Sequence, residues 1–221
     1  NPKLAYSNFD IRHRIVSSIN YEQIWHSAGR TSFTLYFSAQ SGSPFSYGIV
    51  NNSIQGLPQQ VSLVYIPRAA EAIRYFKDIA GGMSAQQQAE AFNRFIDGNE
   101  YLSSRRGDFT ERNMGRTPWN LQADLRIAHD LFVRKSKKQF ITFSVDIMNL
   151  TNLIHRKWGV QYFSPNTFNS TSSVGLTPTL FPPSQNAESW PVFTFSDPGQ
   201  PYSIDYFNSR AQIQCGVRYT F

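Results

Sequence analysis

The chain has 221 residues, 21 Lys and Arg against 15 Asp and Glu for a formal charge of +6, and 40% hydrophobic residues. Mean hydropathy is −0.40, and no apolar run approaches the ~20 residues of a membrane helix. That excludes a helical membrane protein but not a β-barrel, whose strands alternate polar and apolar positions. Scattered basic residues with no long Lys/Arg run argue against a nucleic-acid partner.

Aromatic residues are abundant: 18 Phe, 11 Tyr and 4 Trp make 15% of the chain, a content that aromatic girdles at two membrane interfaces would explain. The single cysteine, Cys215, excludes an internal disulfide and reads as a small hydrophobe. The opening NPKLAYSNFDIRHR lacks the apolar stretch of a signal peptide. An exported protein of this kind would therefore have its beginning upstream.

Five segments alternate with a period of two, the signature of strands with one apolar and one polar face. In IRHRIVSSINYE, Ile11, Ile15, Ile19 and Tyr21 oppose Arg12, Arg14, Ser18, Asn20 and Glu22. In TSFTLYFSAQS, Phe33, Leu35, Phe37 and Ala39 oppose Ser32, Thr34, Tyr36, Ser38 and Gln40. After a long interval, NLQADLRIAHDLFV sets Leu121, Ala123, Leu125, Ile127, Leu131 and Val133 against Gln122, Asp124, Arg126, Ala128 and Asp130. FITFSVDIMN sets Ile141, Phe143, Val145 and Ile147 against Thr142, Ser144 and Asp146. The terminal RAQIQCGVRYTF sets Ala211, Ile213, Cys215, Val217, Tyr219 and Phe221 against Arg210, Gln212, Gln214, Gly216, Arg218 and Thr220. Runs of this length match the ~9–11 residues of a tilted transmembrane strand better than the ~5–6 of a soluble one.

The connections differ sharply in length. WHSAGR and RKSKK are short polar turns, whereas residues 46–119 and 151–207 form long connections. Loops beyond ~12–15 residues are rare in soluble domains, but outer-membrane barrels combine short periplasmic turns with long external loops. A chain ending at the periplasm places both long connections outside and both short turns inside. Within the first, RAAEAIRYFKDIAGG reads as a helix ending at Gly81-Gly82. SAQQQAEAFNRFIDG reads as another, with Ser84 as N-cap, Gly98 past its end, and Ala89, Phe92, Phe95 and Ile96 on one face. The second, rich in Pro, Ser and Thr, suits a surface lid or rim.

Five strands cannot close a barrel, because the smallest use about eight and a membrane sheet tolerates no lipid-exposed edge. The expected fold is therefore all-β: an antiparallel transmembrane β-barrel segment, about the last five strands of a larger barrel, with long extracellular loops containing short helices.

FDIRHRIVSSINY (9–21), SGSPFSYG (41–48), RRGDFTERNMGRTPWNLQADLRIAHDL (105–131), FSVDIMNLTNLIHRKWG (143–159) and the final GVRYTF resemble the C-terminal end of a TonB-dependent receptor of the Bacteroidetes SusC/RagA or Oar-like type. The RN-x-G-R-x-PW and D-I-x-N-L-x-N segments are the most specific of these. The resemblance covers most of the strands and little of the long loops. It implies a barrel of about 22 strands with a plug, energised by TonB through a part of the protein not contained in these residues. Such a barrel imports a glycan, peptide or siderophore-like ligand across the outer membrane of a Gram-negative bacterium. It also implies outer-membrane lipid, the rest of the barrel and a surface lipoprotein lid as partners. Phe221 resembles the residue by which the outer-membrane assembly machinery recognises such barrels.

Arg12, Arg14, Asp124, Arg126, Asp146, Arg210 and Arg218, with Asp130, share the polar parity. They read either as contacts to a plug or passing ligand, or as an ion-pair ladder on an inner wall. His13, His26, His129 and His155 show no metal-ligand spacing; His13 and His129 suit an interfacial position. Trp119, Trp158 and Trp190 suit a girdle or loop packing. Arg106-Gly107-Asp108 spells an adhesion tripeptide inside the family-like segment, a match too short to carry a function. No nucleophile–base pair, phosphate loop or H-E-x-x-H motif is present, so no enzyme activity, metal or cofactor is expected. The alternative to an importer is a barrel subunit with a structural role in a larger outer-membrane assembly, docking a lipoprotein or secretion partner. A soluble β-domain would instead bury Ile11, Leu35 and Ile213 in a core.

Overall fold

The computed structural model describes residues 4–25, 29–51, 60–133, 139–164, 171–180 and 192–221. His26, the RKSKK turn and Trp190 lie outside the described residues. The chain is all-β, its sheets largely antiparallel, and forms two compact units. One comprises residues 1–10, 43–117 and 164–203, the other 11–42, 118–163 and 204–221.

Along the chain, strands β1 (Arg14–Trp25) and β2 (Gly29–Gln40) come first, then β3 (Pro44–Asn51), β4 (Gln60–Leu63) and β5 (Tyr65–Ile66). A 3₁₀ turn (Ala72–Tyr75) and helices α1 (Ala85–Asp97) and α2 (Glu100–Ser104) follow. Strands β6 (Asp108–Phe109), β7 (Gly115–Arg116), β8 (Asn120–Phe132) and β9 (Phe140–Met148) precede helix α3 (Leu150–Ile154). Strands β10 (Tyr162–Phe163), β11 (Thr171–Ser173), β12 (Leu176–Leu180), β13 (Val192–Phe195), β14 (Ser203–Ile204) and β15 (Gln212–Thr220) complete the chain.

The five alternating segments are the five strands of one antiparallel sheet, ordered β1-β2-β8-β9-β15. They are 12, 12, 13, 9 and 9 residues long. The pairing keeps one parity on one face across the whole sheet. Ile19 stands opposite Leu35, Leu35 opposite Leu125, Leu125 opposite Ile147, and Ile147 opposite Ile213. The adjacent polar row runs Asn20, Thr34, Arg126, Asp146, Gln214. A slip by one residue at any junction would turn a strand's apolar set to the opposite face. β1 and β15, at the ends of this order, each have a single neighbour among the described residues.

Among the described residues no core covers the apolar face. Ile15, Ile19, Tyr21, Leu131, Phe143, Ile213, Val217 and Tyr219 are all exposed, and Ile11 is 42% and Ile213 59% exposed. Leu35 is half-buried.

The hydrophobic core lies in the other unit, where Phe45, Tyr47, Ile66, Phe76, Phe92, Ile96, Leu102, Val174, Leu176, Phe193 and Phe195 pack together. The two long connections are thus not independent loops. β11 pairs in parallel with β3, which also pairs with β4 and β7. Val174, Leu176, Phe193 and Phe195, from the segment expected to form a lid, are core residues.

Helix α1 follows its sequence signals closely. Ser84 Oγ accepts from the Gln87 amide while Gln87 Oε1 accepts from the Ser84 amide, a complete capping box. Ala89, Phe92 and Ile96 are buried, Phe95 half-buried, and Gly98 is the C-cap. Gln88, on the same face, is fully buried, donating to the Lys77 carbonyl and accepting from the Phe195 amide.

The helix expected over RAAEAIRYFKDIAGG does not form; only the 3₁₀ turn does. At Phe76 the backbone becomes extended (φ −124°, ψ 151°) and bridges Phe193. Pairing with a distant strand and burial of Tyr75 and Phe76 outweigh the local helical pattern.

Candidate functional site

The five-stranded sheet presents two chemically opposite surfaces, and its polar face holds the charged residues singled out by parity. Arg126 Nη1 donates to Asp146 Oδ1 at 3.0 Å, across directly opposed positions of β8 and β9. Asp124 accepts from the Gln122 amide group at 3.0 Å and from the Asn149 backbone at 2.7 Å. Arg218 stands opposite Thr142, in the row that also holds Asp130. Arg14 opens β1 opposite Gln40, whereas Arg12 and Arg210 each lie two residues ahead of a strand. The five of these seven residues that lie on strands thus share one side of the sheet, and Arg126 and Asp146 meet there as an ion pair.

The shortest ion pair described on this face involves Arg30, a residue that the sequence pattern assigns to a turn. β2 begins at Gly29, so Arg30 belongs to the sheet. Its Nε donates to Asp130 Oδ2 at 2.7 Å, and Glu22 lies 3.9 Å from the same guanidinium. Thr142 Oγ1 donates to the other Asp130 oxygen at 2.6 Å. The Asp130 side chain is 12% exposed, so both of its oxygens are satisfied where water reaches them poorly. The alternation of TSFTLYFSAQS continued backwards would have reached Arg30; the Gly29 turn signal obscured it.

The two most specific sequence segments build structural clamps. Among the described residues, Asn113 and Asn149 are the non-glycine residues with positive φ, 60° and 54°, a region asparagine tolerates better than most. Each is essentially fully buried. Asn113 Nδ2 donates to the Tyr6 carbonyl at 2.6 Å and to Asn8 Oδ1 at 2.7 Å, and the Asn113 amide donates to Ser46 Oγ at 2.9 Å. Gly115 lies flat on Phe45, where a Cβ would come within 2.5 Å of the ring. Arg116 pairs with Asp10 and sits 5.7 Å over the Tyr6 ring. RN-x-G-R thus anchors residues 6–10 of the compact unit to β3 and β7.

Asn149 does the same at the end of β9. Its Nδ2 donates to the carbonyls of Gly159 at 2.8 Å and Ser209 at 2.9 Å, and its Oδ1 accepts from Thr151 Oγ1 at 2.7 Å. One side chain ties together β9, the segment after α3 and the approach to β15.

The adhesion-like tripeptide is committed internally. Arg106 donates to Asp97, to the Asn93 side chain and to the Pro67 carbonyl at 2.7–3.1 Å, and its side chain is 17% exposed. It clamps the end of α1 and is not available to a partner.

The compact unit also carries an apolar cleft of about 460 Å³, lined by Ile49, Leu63, Tyr65, Tyr75, Phe109 and Phe193 among others. Leu63 and Phe109 are exposed at its rim. Its volume lies in the ordinary range for small-ligand pockets. Among the described residues no group of three or more His, Cys, Asp or Glu is placed to hold a metal ion. Phe221 is 91% exposed just past β15, its ring 5.8 Å from that of Tyr219.

The chain matches no family model, no curated protein and no solved structure.

Proposed function

We propose that the chain forms the C-terminal part of a transmembrane β-barrel in a bacterial outer membrane, in an importer of the TonB-dependent kind. The observation that carries this reading is one apolar parity kept through five registered strands, exposed on β1 and β15 and largely exposed or half-buried between them. A contiguous apolar surface of that size is a liability in water, and lipid is the solvent that accepts it. The opposite face, with Arg126–Asp146 and Arg30–Asp130, suits a water-filled interior, where charges cost little. The strand ends Trp25, Gly29, Phe132 and Phe140 carry the short returns, and Gln40, Asn120, Met148 and Gln212 the long connections, the asymmetry of such barrels.

On this reading β1 and β15 pair with further strands, since a spanning sheet has to close. The inner wall guides the ligand, and the apolar cleft of the compact unit offers a place for an apolar portion of a peptide or glycoconjugate. Energy reaches the barrel through a plug and TonB.

The test is the intact mass of the polypeptide extracted from its native membrane. A species that needs detergent and is several times heavier than 25.3 kDa supports one continuous barrel. A species of 25.3 kDa that still needs detergent turns the reading towards a subunit closing its edges against another chain. A protein that stays monomeric in buffer without detergent overturns it.

A further inference from the structure

The apolar face is not uniform, and one end of it is shaped. Beside the strand ends that carry the long connections, a groove of about 390 Å³ is lined by Phe37, Leu121, Trp119, Trp158, Tyr162 and Lys157, among others. Phe37 and Leu121 are members of the apolar face, so the groove opens from the same surface as the rest of that face. An alanine stands across from each, Ala123 from Phe37 and Ala39 from Leu121, which lowers the surface between them. Trp119 and Trp158 are 46% and 55% exposed, and Trp119 stacks on His13 with the ring planes 1° apart. Leu153 and Ile154 of α3, which follow the groove residue Thr151 in the chain, are also exposed.

Charge sets this groove apart from the rest of the face. Residues 149–163 contain Arg156 and Lys157 and no acidic residue, and residues 117–123 contain none either. Both cations are exposed, and no ion pair among the described residues involves them. An apolar trough with an unpaired, exposed lysine in its lining is complementary to an acyl chain that carries an anionic head group, such as a phosphate. Indole rings alongside suit the boundary between hydrocarbon and headgroups.

We propose that this groove is a binding site for the phosphorylated, acylated glycolipid of the outer leaflet. One acyl chain lies along Phe37, Leu121 and Trp119, and a phosphate rests on Lys157 with Arg156 beside it. The proposal rests on the membrane reading above, which places this end of the strands outward. Such a site would hold a lipid against the wall and fix the height of the barrel in the outer leaflet.

The test uses the full-length protein purified in detergent and titrated by native mass spectrometry. The probes are a phosphorylated lipid A, its dephosphorylated form, and phosphatidylglycerol. Phosphorylated lipid A should bind best, and Lys157→Glu should weaken it at least about fivefold. Lys77→Glu, an exposed lysine of the compact unit, should change nothing. Val160→Trp, which fills the groove without altering charge, should also weaken binding. Folding of each variant is checked by its heat-dependent gel mobility. Equal binding by wild type and Lys157→Glu, or by the phosphorylated and dephosphorylated glycolipids, overturns the proposal, as does tighter binding of phosphatidylglycerol. Failure of the membrane reading would show separately, as wild-type protein absent from the outer-membrane fraction.

Discussion

Asn149 and Gly159 depend on each other. The Asn149 amide group donates to the Gly159 carbonyl at 2.8 Å, and Asn149 Oδ1 occupies the space a Cβ on Gly159 would need. Gly159 itself has φ of 62°, where a side chain is strained regardless of space. Gly159→Ala should therefore destabilise the sheet unit by about 2–4 kcal/mol, from strain together with a broken hydrogen-bond cluster. Asn149→Gly keeps the backbone comfortable but loses the side-chain bonds, so it should cost less than Asn149→Ala by about 1 kcal/mol. Thermal unfolding in detergent, followed by circular dichroism, measures all three. Equal transitions for the two Asn149 variants would show that backbone strain is not felt there.

The two faces of β1 make opposite predictions at the same depth. Ile19→Arg, on the apolar face, should cost about 2–4 kcal/mol in a bilayer, whereas Ser18→Arg on the polar face should be nearly neutral. Urea unfolding from vesicles and the yield of protein in the outer-membrane fraction both read this difference. Similar losses from both variants would refute the assignment of the odd-numbered face to lipid.

Arg30 and Asp130 form the pair to test on the polar face. Arg30→Ala leaves the Asp130 carboxylate, 12% exposed, with Thr142 as its remaining side-chain partner. A double-mutant cycle with Asp130→Ala should give a coupling of about 1 kcal/mol. Arg126 and Asp146, with the arginine 55% exposed, should couple by less than about 0.5 kcal/mol.

Gly115 is closely packed in the unit that holds the core, its face lying on the fully buried Phe45. Gly115→Ala should destabilise that unit by about 1–3 kcal/mol. Phe45→Leu in the same chain should recover part of the loss by making room. A double variant no better than the sum of the single ones, in thermal unfolding, would show that the ring does not set the cost.

Alkaline pH should weaken the compact unit before it affects the sheet. Burial raises the titration of Tyr47 above its ordinary value, and burial does the same for Tyr75 and Tyr101. The unfolded chain loses these protons near pH ~10 while the folded unit keeps them. Stability from the neutral phenols is thus fully present below about pH 10 and is lost as pH rises through the folded values. Phenolate absorbance followed alongside the near-ultraviolet circular dichroism should show these tyrosines ionising together with loss of packing. Ionisation at the ordinary pH with packing intact would contradict it.

The sequence by itself determined the sheet. Side chains in a strand alternate with a period of two, so a long alternation fixes both the strand and its faces. Directly opposed residues share a face, so one parity propagates through every pairing. That is why the five segments were located to within three residues and why Arg126 and Asp146 fell on one side. The start of α1 was equally legible, because a capping box is local. What only the tertiary structure decided depends on residues far apart in the chain. Phe76 turns extended to meet Phe193, overriding a good helical pattern. Val174 and Phe195 enter a core with Phe45 and Phe92, although their own segment reads as a polar surface loop. Asn113 and Asn149 look like ordinary loop residues until their amide groups find carbonyls on segments up to 107 residues away. Local periodicity encodes which way a strand faces; it carries no record of which distant groups will satisfy a buried asparagine.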